Sequence, residues 1–242
     1  MKIFGLLGRK LTHSFSKKYF SEKFVKENIK NCEYHLFEIP EASGFPEIIT
    51  KYNPSGLNIT IPYKQELIPY MDILDSRAER IGAINVIKTG KQLQGFSSDY
   101  FGFRESLVNW IKGSQYKALI LGTGGASRAV KAVLEDLKIN YLMVSRNPGL
   151  GITYEKLNEN PELIKEHKLI INTTPLGTYP LTEEMPMLPY SFLDKGHYLY
   201  DLVYNPELTS FMKKGLEHGA NVKNGLEMLH IQAEKSWEIW NS

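Results

Sequence analysis

Segments whose apolar residues have the spacing of a strand alternate with segments that have the spacing of a helix along the first hundred residues of the chain. Short apolar or alternating runs predict strands over 2–8, 33–39, 58–61, 84–87 and 92–96. Apolar positions at helical spacing predict helices over 16–29, 45–52 and 64–81. In the 58–61 strand, Ile59 and Ile61 share one face, which we expect to be buried, while Asn58 and Thr60 share the other. The alternation of strands with helices favours an α/β fold with a largely parallel sheet.

A second series of the same kind follows a helix predicted over 99–112. Its strands are predicted over 117–121, 141–145, 169–172 and 198–203. Its helices are predicted over 126–138, 207–217 and 226–240. The polar segment 177–190 contains three prolines, so we interpret it as a surface loop. We place a domain boundary near residue 100, with the 99–112 helix as the connector.

Composition excludes several classes of protein. The 242 residues carry a net charge of +2, which gives no argument for binding nucleic acid or an anionic membrane. Cys32 is the single cysteine, which excludes an internal disulfide framework and fits a reducing cytoplasm. The N-terminal apolar run is too short for a signal peptide, and no later run approaches the roughly 20 apolar residues of a membrane span. The sequence also lacks a cluster of Cys and His that would suit a metal.

A glycine-rich turn at 122–125 follows an apolar strand and opens a predicted helix. Gly122, Gly124 and Gly125, followed by Ala126, would let the backbone approach a pyrophosphate, whose charge the helix N-terminus stabilises. The turn departs from G-x-G-x-x-G because Ser127 occupies the sixth position. We therefore predict a dinucleotide site here, the alternative being an ordinary tight turn between strand and helix.

The next strand ends at Ser145-Arg146-Asn147, where an NAD site would place an acidic residue for the ribose hydroxyls. No acidic residue occurs there. Arg146 could instead stack on the adenine and bind a 2′-phosphate, which favours NADP over NAD. The alternative is a solvated arginine at the end of a strand.

Lys64 and Asp99 are the candidates for proton transfer in an alcohol dehydrogenation. A lysine beside a carboxylate in a cleft can shuttle the hydroxyl proton. Lys64 follows the 58–61 strand, at the sheet edge where ligands of open α/β sheets bind. The alternatives are an exposed surface lysine and, for Asp99, a helix N-cap, a role that is compatible with a place in the cleft.

Four further polar residues are candidates for binding a substrate. Ser14 and Ser16 follow the first strand and could bind a carboxylate, although Ser16 could equally cap the next helix. Asn85 is polar within an apolar strand, so it needs a partner if it is buried. Gln232 lies beside the apolar stripe of the last helix, where it borders a cleft or is simply exposed to solvent.

Together these segments resemble the shikimate dehydrogenase family in order and spacing along nearly the whole chain. The N-terminal motifs that carry the resemblance are His13-Ser14-Phe15-Ser16, N-x-T-x-P-x-K at Asn58 to Lys64, Gly82-Ala83-Ile84-Asn85, and Ser97-Ser98-Asp99 with Gly102-Phe103. The later ones are Gly122, Gly124, Gly125 and Ala129, the segments 172–177 and 201–206, and Gly225, Met228, Leu229 and Gln232. The pairing of N-x-T-x-P-x-K with the terminal glutamine motif is the most specific part.

The resemblance implies reversible NADP-dependent oxidation of shikimate to 3-dehydroshikimate, on the route to chorismate and aromatic amino acids. It implies Lys64 and Asp99 as the catalytic pair, and the lack of a Cys and His cluster predicts no metal. It implies that the substrate contacts come from Ser14, Ser16, Asn58, Thr60, Asn85, Tyr204 and Gln232. It implies that the NADP(H) contacts come from Gly122, Gly124, Gly125, Ala126, Ser145, Arg146, Asn172, Thr173, Thr174, Leu202 and Gly225.

The implied architecture is a two-domain α/β fold with a cleft between the domains. Residues 1–100 together with 224–242 would form a mostly parallel substrate-binding domain, because the terminal helix returns to it. Residues 101–223 would form a Rossmann-like NADP-binding domain. We expect a cytoplasmic protein, monomeric or homodimeric, that binds neither nucleic acid nor membrane.

The chain departs from the family pattern at several positions. Lys17 replaces a proline, Ser97-Ser98 replaces Asn-Thr, Val86 replaces a threonine, and no second arginine follows Arg146 closely. The hydroxyl of Ser98 could keep a substrate contact. Two alternatives remain: a quinate/shikimate dehydrogenase that uses NAD, and a catalytically silent sensor that binds NADP.

Overall fold

The computed structural model of the chain describes residues 1–11, 14–113 and 115–242. His13 of the serine motif therefore lies outside the described residues. The described chain forms two compact units, one of residues 1–101 with 232–242 and the other of residues 102–231. The assignment of substrate and NADP to separate domains stays a prediction.

The first unit is built on a six-stranded sheet of order β2-β1-β3-β5-β6-β4. Its strands are β1 Lys2–Gly8, β2 Cys32–Glu38, β3 Gly56–Ile59, β4 Ile73–Leu74, β5 Val86–Lys88 and β6 Gln94–Phe96. Its helices are α1 Phe15–Lys26, α2 Phe45–Tyr52, α3 Tyr63–Glu66 and α4 Ser76–Ile81, with 3₁₀ turns at Ala42–Gly44 and Ile68–Tyr70. Strand β1 pairs in parallel with β2 and β3, whereas β5 runs antiparallel to both β3 and β6. The antiparallel strand follows from the short turn after Lys88, which brings the chain directly back as a hairpin.

The predicted strand over 58–61 begins and ends two residues early. Strand β3 ends at Ile59, and Ile61 is 76% exposed, so the prediction that Ile61 shares a buried face with Ile59 is wrong. Pro62 cannot donate to a ladder, and the chain turns into α3 at Tyr63. The alternation of apolar and polar residues thus continued past the end of the strand.

The predicted helix over 64–81 is also wrong, because the segment is divided among α3, a 3₁₀ turn, β4 and α4. Pro69 lacks the N–H that a continuous helix needs, and it lies in the 3₁₀ turn. The carboxylate of Asp75 then accepts a hydrogen bond from the Arg77 amide at 3.0 Å and caps a new helix. Two local signals therefore outweigh the apolar spacing.

Two helices have residues in both units. They are α5 Ser98–Val108 and α10 Leu226–Asn241. Within the first unit, the C-terminal part of α10 packs on the sheet through Trp240, whose ring stacks on Phe4 with centroids 4.9 Å apart. The Trp240 indole N–H donates to the Ile87 carbonyl at 3.1 Å, and a Cβ at Gly56 would lie 2.2 Å from the indole ring. These contacts fix the end of α10 over β3 and β5.

The second unit is built on a five-stranded parallel sheet of order β11-β10-β9-β7-β8. Its strands are β7 Lys117–Leu121, β8 Asn140–Val144, β9 Leu169–Asn172, β10 Tyr198–Asp201 and β11 Asn221–Lys223. Its helices are α6 Gly125–Asp136, α7 Tyr154–Glu159, α8 Glu162–Glu166 and α9 Ser210–Glu217, with a 3₁₀ turn at Tyr190–Phe192. The short elements α7, α8 and β11 were not predicted, since they are too brief to show a period. In the part of the chain that the structure describes, no helix has the length and apolar character to cross a membrane.

Candidate active site

Lys64 and Asp99, which are 35 positions apart in sequence, meet in the first unit. The Lys64 ammonium Nζ donates to Asp99 Oδ2 at 2.5 Å, and their side chains are 19% and 9% exposed. Helix α5 begins at Ser98, so Asp99 lies inside its first turn and the predicted N-cap role is wrong. A carboxylate in the first turn is stabilised by the helix dipole, and the Lys64 charge adds to that stabilisation.

Asn85 holds the other oxygen of the Asp99 carboxylate. The Ser98 backbone N–H donates to Asn85 Oδ1 at 2.6 Å, which fixes the orientation of the amide and leaves Nδ2 as the donor. Asn85 Nδ2 then lies 3.0 Å from Asp99 Oδ1, 2.9 Å from Ser98 Oγ and 3.1 Å from Gln232 Oε1. The amide has two protons for these three acceptors, so one acceptor at a time is left for another donor.

The fold therefore brings four predicted site residues together: Lys64, Asn85, Asp99 and Gln232. They come from α3, the residue before β5, the first turn of α5, and α10. Together they present an ammonium group, a carboxylate and two amides. Such a set can exchange a proton with a hydroxyl group and hold neighbouring hydroxyls by hydrogen bonds.

The remaining predicted residues of the first unit lie outside this group of contacts. Ser14 is the N-cap of α1, because its hydroxyl accepts from the Lys17 amide at 3.1 Å; Ser16 lies within the helix. The alternative that Ser16 caps this helix is thus wrong. The Ser16 hydroxyl instead acts on the Tyr34 phenol, whose pKa it lowers against the stronger raising effect of burial. Thr60 is half-buried, and its amide donates to the Leu7 carbonyl at 3.0 Å.

Asn58 is held by buried protein groups on both sides of its amide. Tyr34 donates its hydroxyl to Asn58 Oδ1 at 2.8 Å, and Asn58 Nδ2 donates to Ser236 Oγ at 2.8 Å. Burial raises the pKa of the Tyr34 phenol well above its usual value, which keeps this donor protonated.

Tyr34 and Ser236 were not predicted as part of this site. Ser98 is fully buried and its hydroxyl accepts from Asn85, while its contact with a substrate stays a prediction. Ser236 is also fully buried. A serine four residues after Gln232 on a helix that must pack on a sheet was the available signal for it.

The glycine-rich turn of the second unit has the form expected for a phosphate cradle. Gly122 has φ +100°, and a Cβ there would lie 2.8 Å from Thr174 Cγ2. A Cβ at Gly124 or Gly125 would meet no described atom within 4 Å, so the space beside these two residues is open. Gly124 is the N-cap of α6, and no described side chain caps the helix. The first-turn amides, including that of Ala126, are placed to bind an anion.

A buried carboxylate organises the segment after β9. Asn172 Oδ1 accepts from the Thr174 amide at 3.0 Å and from its hydroxyl at 2.6 Å, while Asn172 Nδ2 donates to Asp201 Oδ1 at 2.9 Å. Asp201 also accepts from the Val203 amide at 3.0 Å and from Thr209 Oγ1 at 2.6 Å. Burial raises the pKa of Asp201 to about 6, against the lowering effect of these hydrogen bonds.

The other predicted cofactor residues lie on the same unit. Thr173 Oγ1 donates to the Leu121 carbonyl at 2.7 Å, and the Leu202 amide donates to the Asn172 carbonyl at 3.0 Å. A Cβ at Gly225 would lie 2.2 Å from the Leu202 carbonyl oxygen, so only glycine fits there. Tyr204, a predicted substrate residue, is half-buried, and burial raises its pKa.

A positively charged side chain, Arg146, is exposed to solvent just after the end of β8. Ser145 is buried, and its hydroxyl accepts from the Asn147 amide at 3.0 Å, which shapes the turn. Arg146 is exposed, and its charge acts on the Tyr154 phenol, whose pKa burial raises and Arg146 partly lowers. Among the described residues, no group of three or more His, Cys, Asp or Glu could hold a metal ion.

The chain is similar to shikimate dehydrogenases both in its N-terminal part and over its full length. Residues 6–87 match the family model described as the shikimate dehydrogenase substrate binding domain. The shikimate dehydrogenase (NADP(+)) of Clostridium beijerinckii is 36% identical over 255 residues, which cover 99% of this chain and 92% of that protein.

Two solved structures share the whole fold. The chorismate mutase/shikimate 5-dehydrogenase fusion protein of Clostridium acetobutylicum matches with a TM-score of 0.86 and 36% identity, over 99% of this chain and 90% of that chain. The shikimate 5-dehydrogenase of Thermus thermophilus, in complex with NADP(H) and shikimate, matches with a TM-score of 0.86 and 26% identity, over 99% and 93% of the two chains. The predicted α/β fold class is confirmed. The chain belongs to the shikimate dehydrogenase family.

Proposed function

We propose that the protein catalyses the reversible oxidation of shikimate to 3-dehydroshikimate with NADP(H). In the cell it would reduce 3-dehydroshikimate with NADPH, on the route to chorismate and the aromatic amino acids. The observation that carries the proposal is the contact of Lys64 Nζ with Asp99 Oδ2 at 2.5 Å, in a chain of this family. A binding protein without catalysis has no need of a proton shuttle.

The Lys64–Asp99 pair takes the proton of the hydroxyl that is oxidised. The O–H bond breaks toward this pair, and the pair returns the proton in the opposite direction. Asn85 Nδ2, 3.0 Å from Asp99 Oδ1, keeps the second carboxylate oxygen in place so that Oδ2 stays on Lys64. Both side chains are mostly buried, which strengthens their mutual attraction.

Neutral hydrogen-bonding groups would hold the rest of the substrate. We assign its carboxylate and ring hydroxyls to Ser14, Ser16, Thr60, Asn85 and Gln232, with Asn58 and Tyr204 nearby. A ring with several hydroxyls suits hydroxyl and amide side chains, which both donate and accept. Gln232 Oε1 competes for the two Asn85 protons, so a substrate hydroxyl could donate to it.

The second unit fits the cofactor. The open space beside Gly124 and Gly125 would admit a pyrophosphate at the α6 N-terminus, and Arg146 would bind the 2′-phosphate. The remaining contacts are assigned to Gly122, Ala126, Ser145, Asn172, Thr173, Thr174, Leu202 and Gly225. When bound, NADP⁺ supplies the acceptor for the hydride.

A matrix of steady-state rates, with shikimate and quinate against NADP⁺ and NAD⁺, tests the function. We expect the highest kcat/KM with shikimate and NADP⁺. A higher value with quinate and NAD⁺ would show the quinate/shikimate alternative. Binding of both ligands without production of NADPH would show a silent sensor.

We further propose a cytoplasmic location, which the single cysteine and the biosynthetic role support. The chain is expected to be monomeric or homodimeric. Light scattering from the purified protein distinguishes the two states.

A further inference from the structure

We propose that Ser236 is a positioning residue of this enzyme, acting through Ser98 on the side-chain amide of Asn85 and through Asn58 on the backbone carbonyl of Asn85. The inference rests on the proposed function, because its effect is read in the oxidation of shikimate. Ser236 lies on α10, one turn after Gln232, and is fully buried.

The hydroxyl of Ser236 joins three chain segments. It donates to the Gln232 carbonyl at 2.8 Å, accepts from Asn58 Nδ2 at 2.8 Å, and lies 3.3 Å from Ser98 Oγ. A hydroxyl has a single proton. Since Ser236 gives its proton to the Gln232 carbonyl, Ser98 must be the donor in the contact between the two serines.

This direction orients the Ser98 hydroxyl toward Asn85. Ser98 Oγ accepts from Asn85 Nδ2, 2.9 Å away, and the proton that it gives to Ser236 holds the hydroxyl with its lone pairs turned to this amide. The Ser98 backbone N–H holds the other end of the same amide. The amide plane of Asn85 is therefore fixed at both ends, and its remaining proton is directed to Asp99 Oδ1 and Gln232 Oε1.

Removal of the Ser236 hydroxyl would loosen this arrangement. Ser98 would lose the acceptor of its proton, and Asn58 Nδ2 would keep only a 3.5 Å contact with the Asn85 carbonyl. Both changes act on the residue that orients Asp99 and Gln232. The consequences should fall on shikimate and on the proton transfer, while the cofactor residues of the second unit are unaffected.

We expect Ser236→Ala to lower kcat/KM for shikimate by roughly 3- to 10-fold, the scale of one lost hydrogen bond, and to raise KM for shikimate. KM for NADP⁺ should not change. A variant that is merely less stable has fewer folded molecules, which lowers the apparent kcat and leaves KM for shikimate unchanged. The rise in KM for shikimate therefore separates positioning from stability.

Ser106→Ala is the matched control. Ser106 is a fully buried serine on α5 whose hydroxyl bonds the Tyr200 hydroxyl at 2.5 Å in the second unit. Its loss should lower the melting temperature and leave KM for shikimate unchanged.

Ser98→Ala removes the contact between Ser98 and Ser236 from the Ser98 side. This variant tests the inference if Ser236→Ala does not fold. We expect a rise in KM for shikimate here too, and a double variant whose loss is smaller than the sum of the two single losses, because either substitution removes the contact between Ser98 and Ser236. An unchanged KM for shikimate in both single variants, or fully additive losses, overturns the inference while the proposed function stands. Wild-type protein without NADP-dependent oxidation of shikimate overturns both.

Discussion

At the scale of residues, function depends on a few side chains held in fixed orientation. Lys64 and Asp99 are ordinary residue types. Lys64 alone would be interpreted as a surface lysine, and Asp99 alone as a helix cap. The 2.5 Å contact between them, with Asn85 on the second carboxylate oxygen, is what supports the proposed proton transfer. Buried amides and hydroxyls around them supply direction, because each has a limited number of protons.

Lys64→Ala should lower kcat by ~10²–10⁴, the usual contribution of a general acid–base group, with little change in KM for shikimate. The ammonium Nζ is lost, while the groups assigned to substrate binding stay. Steady-state kinetics on the purified variant measures this, with Lys51→Ala on the exposed face of α2 as the control. A variant with unchanged kcat would remove Lys64 from the catalytic role.

Arg146→Ala should raise KM for NADP⁺ about tenfold and leave KM for NAD⁺ nearly unchanged, since a charged hydrogen bond to the 2′-phosphate is lost. Arg146 is exposed, so the loss should shrink as salt concentration rises. NAD⁺ in the same assay is the internal control. An equal effect on both cofactors would contradict the assignment to the 2′-phosphate.

At the scale of elements, proline and glycine set where strands and helices end. Pro62 and Pro69 interrupt segments whose apolar pattern continues through them, and Asp75 starts a new helix after them. The turn at 122–125 shows two different uses of glycine. Position 122 requires glycine because its φ is +100° and because a Cβ there would lie too close to Thr174. Gly124 and Gly125, by contrast, border open space.

Gly124→Ala should therefore leave the melting temperature within about 2 °C of wild type, because its Cβ would contact no described atom and any strain is small. NADP⁺ affinity should fall severalfold, because the new methyl group occupies the space assigned to the pyrophosphate. Calorimetric titration with NADP⁺ and thermal unfolding measure the two effects.

Gly90→Ala is the control, since its Cβ would also meet open space but in a turn of the first unit. Gly122→Ala, by contrast, should lower stability as well, because of its positive φ and the 2.8 Å contact with Thr174. Unchanged NADP⁺ affinity in Gly124→Ala would argue against a phosphate cradle at this turn.

At the scale of the whole molecule, the chain forms two units with separate sheets, and we assign the substrate to one unit and the cofactor to the other. Sequentially distant segments are joined within each unit by buried polar groups. In the second unit, Asp201 joins the end of β9 to the Thr209 cap of α9. Such a group adds a dependence of stability on pH, because its protonation differs between folded and unfolded chains.

The pKa of Asp201 is raised from 3.8 to about 6 by burial, so the folded state binds the proton more tightly than the unfolded state. Its contribution to stability is fully present below pH 3.8 and is lost as pH rises through 6. The full change corresponds to roughly 3 kcal/mol. We expect Asp201→Asn to abolish this part of the pH dependence.

Urea unfolding of both proteins between about pH 4 and 7 measures the difference. The unfolding free energy of the wild type, relative to Asp201→Asn, should fall across this range. A difference that stays constant with pH would show that Asp201 does not titrate there.

The sequence alone determined the order of most strands and helices, the glycine-rich turn and the family. Strand β1, helix α2 and strand β9 matched their predicted bounds, because their apolar periods are unbroken and end at clear signals. The motif residues Lys64, Asn85, Asp99 and Gln232 were identified from spacing and resemblance. Local pattern and residue type suffice for such features.

Only the tertiary structure decided which polar groups meet. Ile61 proved exposed and Ser98 fully buried, because burial depends on what packs against a segment and not on its own pattern. Tyr34 and Ser236 have no motif, yet they hold Asn58 from segments 24 and 178 positions away. A hydrogen bond between distant segments forms only when the sheet and α10 have brought them within about 3 Å, and no local period in the sequence encodes that distance.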